Sequence, residues 1–186
     1  MKLQDQDKLE NKLKKVKKRI GILGGSFDPA HKGHIKISKE AKKRFNLQKL
    51  FWAITLKNPF KSKCSKTLRK RIQYARKINL NNKFIKVKFF ENIIKSNKTI
   101  DLINYFKKKN KNSDIYFIMG ADNLIQFHKW HKWKEISLKC NILVFDRHGY
   151  KSKSLKSLSF RMINSKNLKY INFKKVNISS SQLRKI

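Results

Sequence analysis

Apolar residues along the chain gather in short, near-continuous runs, and between the runs they recur every three to four positions. Arg19-Ile20-Gly21-Ile22-Leu23-Gly24 is an apolar run into glycine, and His34-Ile35-Lys36-Ile37-Ser38-Lys39-Glu40-Ala41 carries helical spacing. The alternation continues with a predicted strand over 50–56, a loop through Asn58 and Pro59, a helix over 67–79 and a strand over 84–90. A helix over 99–109, a strand over 115–119, a helical stretch over 122–138 and a strand over 141–145 follow. A short strand near 170–173 and a helix from about Ser179 complete the pattern. Apolar strands alternating with helices predict an α/β fold, a doubly wound and mostly parallel sheet with helices on both faces. Residues 1–18 are charged, with Leu3, Leu9, Leu13 and Val16 as one weak helical face, and read as a basic N-terminal extension to a single domain over 19–186.

Composition leaves that picture intact. At 186 residues, with 39% hydrophobic and 11% aromatic positions, the chain holds enough apolar material for one core despite its 32% of charged residues. No apolar run approaches the ~18 residues of a membrane span, and the first residues lack the apolar stretch of a secretory signal, so the expectation is a cytoplasmic protein without membrane partners. Cys64 and Cys140 lie far apart, as two free thiols of a reducing compartment would.

Charge widens the range of readings. Lys and Arg number 48 against 11 Asp and Glu, a net +37, which raises the question of a nucleic-acid partner. The cations are 8 Arg and therefore 40 Lys, in a chain also rich in Asn and Ile. That mixture reads as a base-composition bias spread over a solvated surface, and no specific nucleic-acid partner is expected. The field still draws phosphorylated metabolites, and polyanions weakly.

The chemistry concentrates after the first predicted strand, in Gly24-Gly25-Ser26-Phe27-Asp28-Pro29-Ala30-His31-Lys32-Gly33-His34. Gly24 and Gly25 lack the Cβ that would block a sharp turn or a close approach to a ligand, and Gly33 eases entry into the next helix. The unpaired N–H groups and dipole of that helix start favour an anion. His31 and His34, three apart, converge on one centre. Three readings of the pair remain: phosphate contacts, a zinc site, or plain loop structure. A P-loop and a dinucleotide fingerprint are both missing.

The run from Gly25 to His34 resembles the G-[ST]-F-D-P-x-H-x-G-H signature of the adenylyltransferases that make dinucleotide cofactors, within the H-x-G-H nucleotidyltransferase superfamily. Ile178-Ser179-Ser180-Ser181-Gln182-Leu183-Arg184 resembles the superfamily's second signature, I-S-[ST]-[ST]-x-[IL]-R. Met119-Gly120-Ala121-Asp122-Asn123-Leu124, with Phe127 and Trp130 after it, is similar to the [IM]-G-x-D-x-L…F-x-x-W segment of the bacterial nicotinate-nucleotide adenylyltransferase family. The resemblance implies a Rossmann-like fold and transfer of AMP from ATP to nicotinate mononucleotide, giving nicotinate adenine dinucleotide and pyrophosphate for NAD biosynthesis. It implies catalytic roles for His31, His34 and Arg184, and ATP contacts from these and from Gly24, Gly25, Ser26, Phe27, Gly120, Asp122, Ile178, Ser179 and Ser180. For the mononucleotide it implies Gly25, Ser26, Lys61, Thr99, Trp130 and Arg147. Lys61 stands in Lys57-Asn58-Pro59-Phe60-Lys61, which departs from the family's P-P-H-K at Asn58 and Phe60. Mg²⁺ is expected to arrive on ATP, with no protein metal site, in a monomer or homodimer. The same chemistry on nicotinamide mononucleotide or phosphopantetheine, and a nucleic-acid-binding protein on an inactive domain, stand as alternatives.

Overall fold

A computed structural model of the chain describes residues 17–57, 64–163 and 166–172. The predicted extension falls almost wholly outside these, as do Lys61 and the whole segment from Ile178 to Arg184. Six strands form one sheet: β1 (Lys18–Gly25), β2 (Lys49–Ile54), β3 (Ile85–Lys88), β4 (Ser113–Gly120), β5 (Asn141–Phe145) and β6 (Leu168–Ile171). Their spatial order is β3-β2-β1-β4-β5-β6, and every pairing is parallel. The order reverses at β1, whose end is paired to β2 through Gly25 and Ile54 and whose other edge meets β4 through Leu23 and Ile118. Ligands of such sheets bind at that reversal, beyond the carboxyl ends of the strands.

Helices cover both faces, so strand residues of both parities are apolar. Ile20 and Ile22 share one core with Phe117, Met119, Ile142 and Val144, under α4 (Thr99–Lys109), α5 (Ala121–Gln126) and α6 (Trp133–Lys139). Leu23, Leu50, Trp52, Ile54, Ile118 and Leu143 face the other way, toward α1 (Lys32–Phe45) and α2 (Leu68–Lys77), which contribute Ala41 and Ala75. Short helices α3 (Glu91–Ile94), α7 (Lys151–Leu155) and α8 (Leu158–Met162) fill connections in which the sequence pattern shows no helix.

The 99–109 helix and the 141–145 strand sit where predicted, and the final strand lies two residues earlier than its prediction. The predicted helix over 122–138 is a correction: the chain runs α5, then a 3₁₀ turn Phe127–Lys129, an extended Trp130, and a restart at α6. Lys132 makes the restart in the left-handed region, φ 52°. Among the described residues no helix is long and apolar enough to cross a membrane.

Candidate active site

The turn after β1 is organised by side chains beneath it. Gly24 and Gly25 still belong to the strand, so the sharp turn expected of them is corrected: the left-handed residue is Phe27, φ 49°. That backbone is held in place because the Phe27 ring, 2% exposed, stacks on Trp52 with centroids 4.8 Å apart and meets His34 at 4.7 Å. Trp52 Nε1 donates to Ser38 Oγ at 2.8 Å, and Ser38 Oγ donates to the His34 carbonyl at 2.8 Å. An aromatic floor thus supports the start of α1. Phe27, expected among the ATP contacts, is placed in that floor.

At the helix start the two histidines cap each other's backbone. His31 Nδ1 accepts from the Gly33 N–H at 3.1 Å, His34 Nδ1 accepts from the His31 N–H at 3.2 Å, and the rings lie 3.9 Å apart. An imidazole whose Nδ1 accepts is in the Nε2–H form, so capping fixes each ring as a hydrogen-bond donor through Nε2. Burial, aided by the positive charge of Arg147, lowers the His31 pKa from 6.5 to about 4. His31 is therefore neutral at pH 7, and neither a proton-loaded cation nor a base with a vacant Nδ1. The loop-structure and phosphate-contact readings of the pair are compatible, because capping aims the donors.

On the β4–β5 side, Gly120 ends its strand and Asp122 folds back over it. A Cβ on Gly120 would sit 2.5 Å from Asp122 Oδ1, so a side chain here would displace this carboxylate. Asp122 Oδ2 accepts from Arg147 Nη1 at 2.6 Å, and the Arg147 guanidinium lies 5.6 Å from the Tyr150 ring centre in the turn after β5. Arg147, expected on the mononucleotide side, is placed here with Asp122 and close enough to His31 to act on its titration.

At the ends of β1, β2 and β4 a cavity of about 230 Å³ opens. Gly24, Gly25, Ala53, Thr55 and Phe117 form its floor, and Trp130, Leu102 and the start of α4, Asn97, Lys98 and Thr99, form its walls. Trp130 meets Phe117 and Phe127 edge-on at 6.0 and 5.2 Å. Trp133 packs edge-on against Phe127 and does not line the cavity. Lys57, Lys98, Lys129 and His131 ring the opening, with Glu91 as the one acidic lining residue among the described residues. Burial raises the Glu91 pKa, against a main-chain hydrogen bond from Leu56 and the charge of Arg71. The structure thus brings Gly24, Gly25, Thr99 and Trp130 to one cavity, and His31, Asp122 and Arg147 to a second group at the same ends of the strands.

Sequence reasoning missed Lys57, Thr55 and Glu91 on the cavity wall, and Arg71 beneath it. Asp28, quoted only as part of the motif, is 1% exposed and accepts from the Ser65 N–H at 2.6 Å and the Lys66 N–H at 3.2 Å. Arg71 carried a signal: Leu68, Arg71, Ile72 and Ala75 share one face of α2, so a charge stands in the apolar stripe.

The parallel order, the reversal point at β1 and the capped helix start that follows it make the α/β frame of a nucleotidyltransferase-type domain. The cytidylyltransferase-like family model matches residues 22–186. A probable nicotinate-nucleotide adenylyltransferase of Pelagibacter ubique strain HTCC1062 is 63% identical over 179 residues, covering 96% of this chain and 99% of that one. One from Bradyrhizobium sp. strain ORS 278 is 37% identical over 78% of this chain and 76% of its own. Among solved structures, Plasmodium falciparum nicotinic acid mononucleotide adenylyltransferase matches with TM-score 0.71 over 90% of this chain and 83% of that chain, at 24% identity in its complex with NaAD and 25% in its complex with APC. The chain belongs to the nicotinate-nucleotide adenylyltransferase family, within the cytidylyltransferase-like proteins.

Proposed function

We propose that the protein transfers AMP from ATP to nicotinate mononucleotide, releasing pyrophosphate and giving nicotinate adenine dinucleotide, a step of NAD synthesis in the cytoplasm. The observation that carries this reading is the cavity walled by Trp130 and the start of α4, at the end of the same strand β1 that leads into the His31–His34 pair. The names of the curated relatives support it, as does the Plasmodium structure in complex with APC.

A phosphate oxygen of the mononucleotide attacks the α-phosphorus of ATP, the bond to the bridging oxygen breaks, and the electron pair leaves with pyrophosphate. The nucleophile is already ionised, so the protein's work is alignment and charge stabilisation. His31 and His34 donate through Nε2 to the phosphate oxygens, from positions set by their caps. Main-chain N–H groups of Gly25 and Ser26 lie at the same turn. Arg184 serves the departing pyrophosphate, with Ile178, Ser179 and Ser180 beside the ATP phosphates; these roles and that of Lys61 rest on the motifs alone. Asp122 and Gly120 hold the adenosine side, where Arg147 is fixed by its ion pair.

Trp130 offers its face to a flat, electron-poor pyridine ring. Thr99, which opens the eleven-residue α4, lines the cavity, and the N–H groups of that helix start suit a carboxylate, as does the rim of Lys57, Lys98 and Lys129. These features favour the nicotinate acid over its amide.

The donors that face the phosphates, imidazole N–H and main-chain N–H, suit oxygen anions and repel a cation. Asp28 and Asp122 are engaged by Ser65, Lys66 and Arg147, and the described residues hold no cluster of three metal-ligating side chains. Mg²⁺ therefore fits as an ion carried by the ATP phosphates and water, where it neutralises charge on the leaving group. The deciding experiment is pyrophosphate release from ATP and Mg²⁺ with nicotinate mononucleotide, nicotinamide mononucleotide and phosphopantetheine in turn. Fastest release with the first is expected; release with neither pyridine nucleotide overturns the reading.

A further inference from the structure

We propose that Arg71 is a positioning residue for adenylyl transfer, a buried clamp that sets the phosphate turn and the cavity floor in register. It lies on α2, does not line the cavity, and is 2% exposed. Four of its five N–H donors end on main-chain carbonyls from three segments. Nη1 reaches the Ser26 carbonyl in the turn and the Thr55 carbonyl at 2.8 Å, Nη2 reaches Leu56 at 3.0 Å, and Nε reaches Lys66 at 3.1 Å.

Three of those four residues, Thr55, Leu56 and Lys66, are also held through their own N–H groups. The Thr55 N–H donates to the Gly25 carbonyl at 3.0 Å, and the Leu56 N–H donates to Glu91 Oε1 at 3.2 Å. The Lys66 N–H donates to Asp28, two residues beyond Ser26 in the turn. Ser26, Lys66 and Asp28 thus close a ring through the guanidinium, and Thr55 is locked between the turn and the floor. A planar fork with fixed donor directions can hold three segments at once; an ammonium on a flexible stem cannot. Because misplacing reacting groups by about 1 Å costs on the order of 10²-fold in rate, a loosened clamp acts on turnover before it acts on substrate binding.

The inference rests on the adenylyl-transfer reading, and its test separates the two. Arg71→Lys and Arg71→Gln are compared with wild type and with Ile142→Ala, a core variant at the opposite end of β5, each assayed where circular dichroism reports it folded. The neutral Gln variant buries no ammonium and decides the matter should the Lys variant fail to fold. We expect kcat to fall about 30-fold relative to Ile142→Ala, KM for both substrates to stay within about threefold, and the Thr55 and Leu56 amides to exchange hydrogen at least about tenfold faster. A kcat no lower than that of Ile142→Ala makes Arg71 an ordinary core residue and overturns the proposal. If wild type releases no pyrophosphate, the reaction assignment fails, and unchanged exchange at Thr55 and Leu56 in Arg71→Gln then overturns the clamp as well.

Discussion

A histidine that caps a helix through Nδ1 is both a structural and a chemical residue, and the two roles leave different signatures at His31. Its pKa is lowered from 6.5 to about 4 in the folded chain, first by burial and then by Arg147. Between those values the unfolded chain binds a proton that the folded chain refuses, so the stabilisation is complete above pH 6.5 and lost as pH falls toward 4. For a fully buried ring the gap corresponds to roughly 3 kcal/mol; solvent screening at this half-buried one reduces it to about 1–2 kcal/mol. His31→Asn keeps a capping side chain and removes the titration. Urea midpoints at pH 7 and pH 4.5 are expected to fall less in the variant than in wild type, by that difference; equal falls would place the acid sensitivity elsewhere. His34 is expected to show itself in rate. Removing a donor aimed at migrating phosphate charge lowers kcat by about 10² to 10³, so His34→Ala should lose turnover while its KM for the mononucleotide changes little, as steady-state kinetics in both substrates will read. What the sequence left hidden at this scale is the tautomer, because it depends on which backbone N–H each ring meets and not on residue type.

At the scale of elements, the strands of the sheet were legible because an all-parallel sheet covered on both faces writes itself as apolar runs. The break inside 122–138 was not. Leu124, Phe127, Trp130, Trp133 and Ile136 recur every third position, close enough to a helical period to read as one helix, and no Gly or Pro marks the restart, which a left-handed Lys132 makes instead. Helices α7 and α8 were hidden for a different reason: they bury polar Ser154, Ser157 and Ser159, of which Ser157 Oγ donates to the nearby Ser154 carbonyl at 2.7 Å while Ser159 Oγ accepts from the distant His128 N–H at 2.8 Å. The motif carries the proposed phosphate site, yet its support from Arg71 and Trp52 comes from elements distant in the chain. The break matters for function, since the extended Trp130 turns one side to the cavity while its edges rest on Phe117 and Phe127. Loss of a ring stacked on the pyridine costs about 1–3 kcal/mol. Trp130→Ala is expected to raise KM for the mononucleotide by about tenfold or more, Trp130→Phe by less, and neither to change KM for ATP. A rise confined to ATP would put the pyridine ring in another part of the site.

For the whole molecule the fold class was legible, and the meaning of the net charge of +37 was the question the sequence posed most sharply. The structure places cations at the rim of the proposed mononucleotide cavity, Lys57, Lys98 and Lys129, around a floor of glycines and apolar side chains. Both proposed substrates are anions, and a field of one sign focused on a cleft raises their encounter rate without changing the chemical step. Screening separates the two effects, since the Debye length falls from about 30 Å at 0.01 M salt to about 8 Å at 0.15 M. Between those conditions kcat/KM for ATP is expected to fall several-fold while kcat stays within about twofold. The rival reading, that the charge serves a nucleic acid, makes a different demand: tight binding of mixed RNA that survives 0.15 M salt and displaces ATP. A kcat/KM indifferent to salt would show that the surface charge does not reach the cleft. RNA competition at physiological salt would show that the cleft is not its main target.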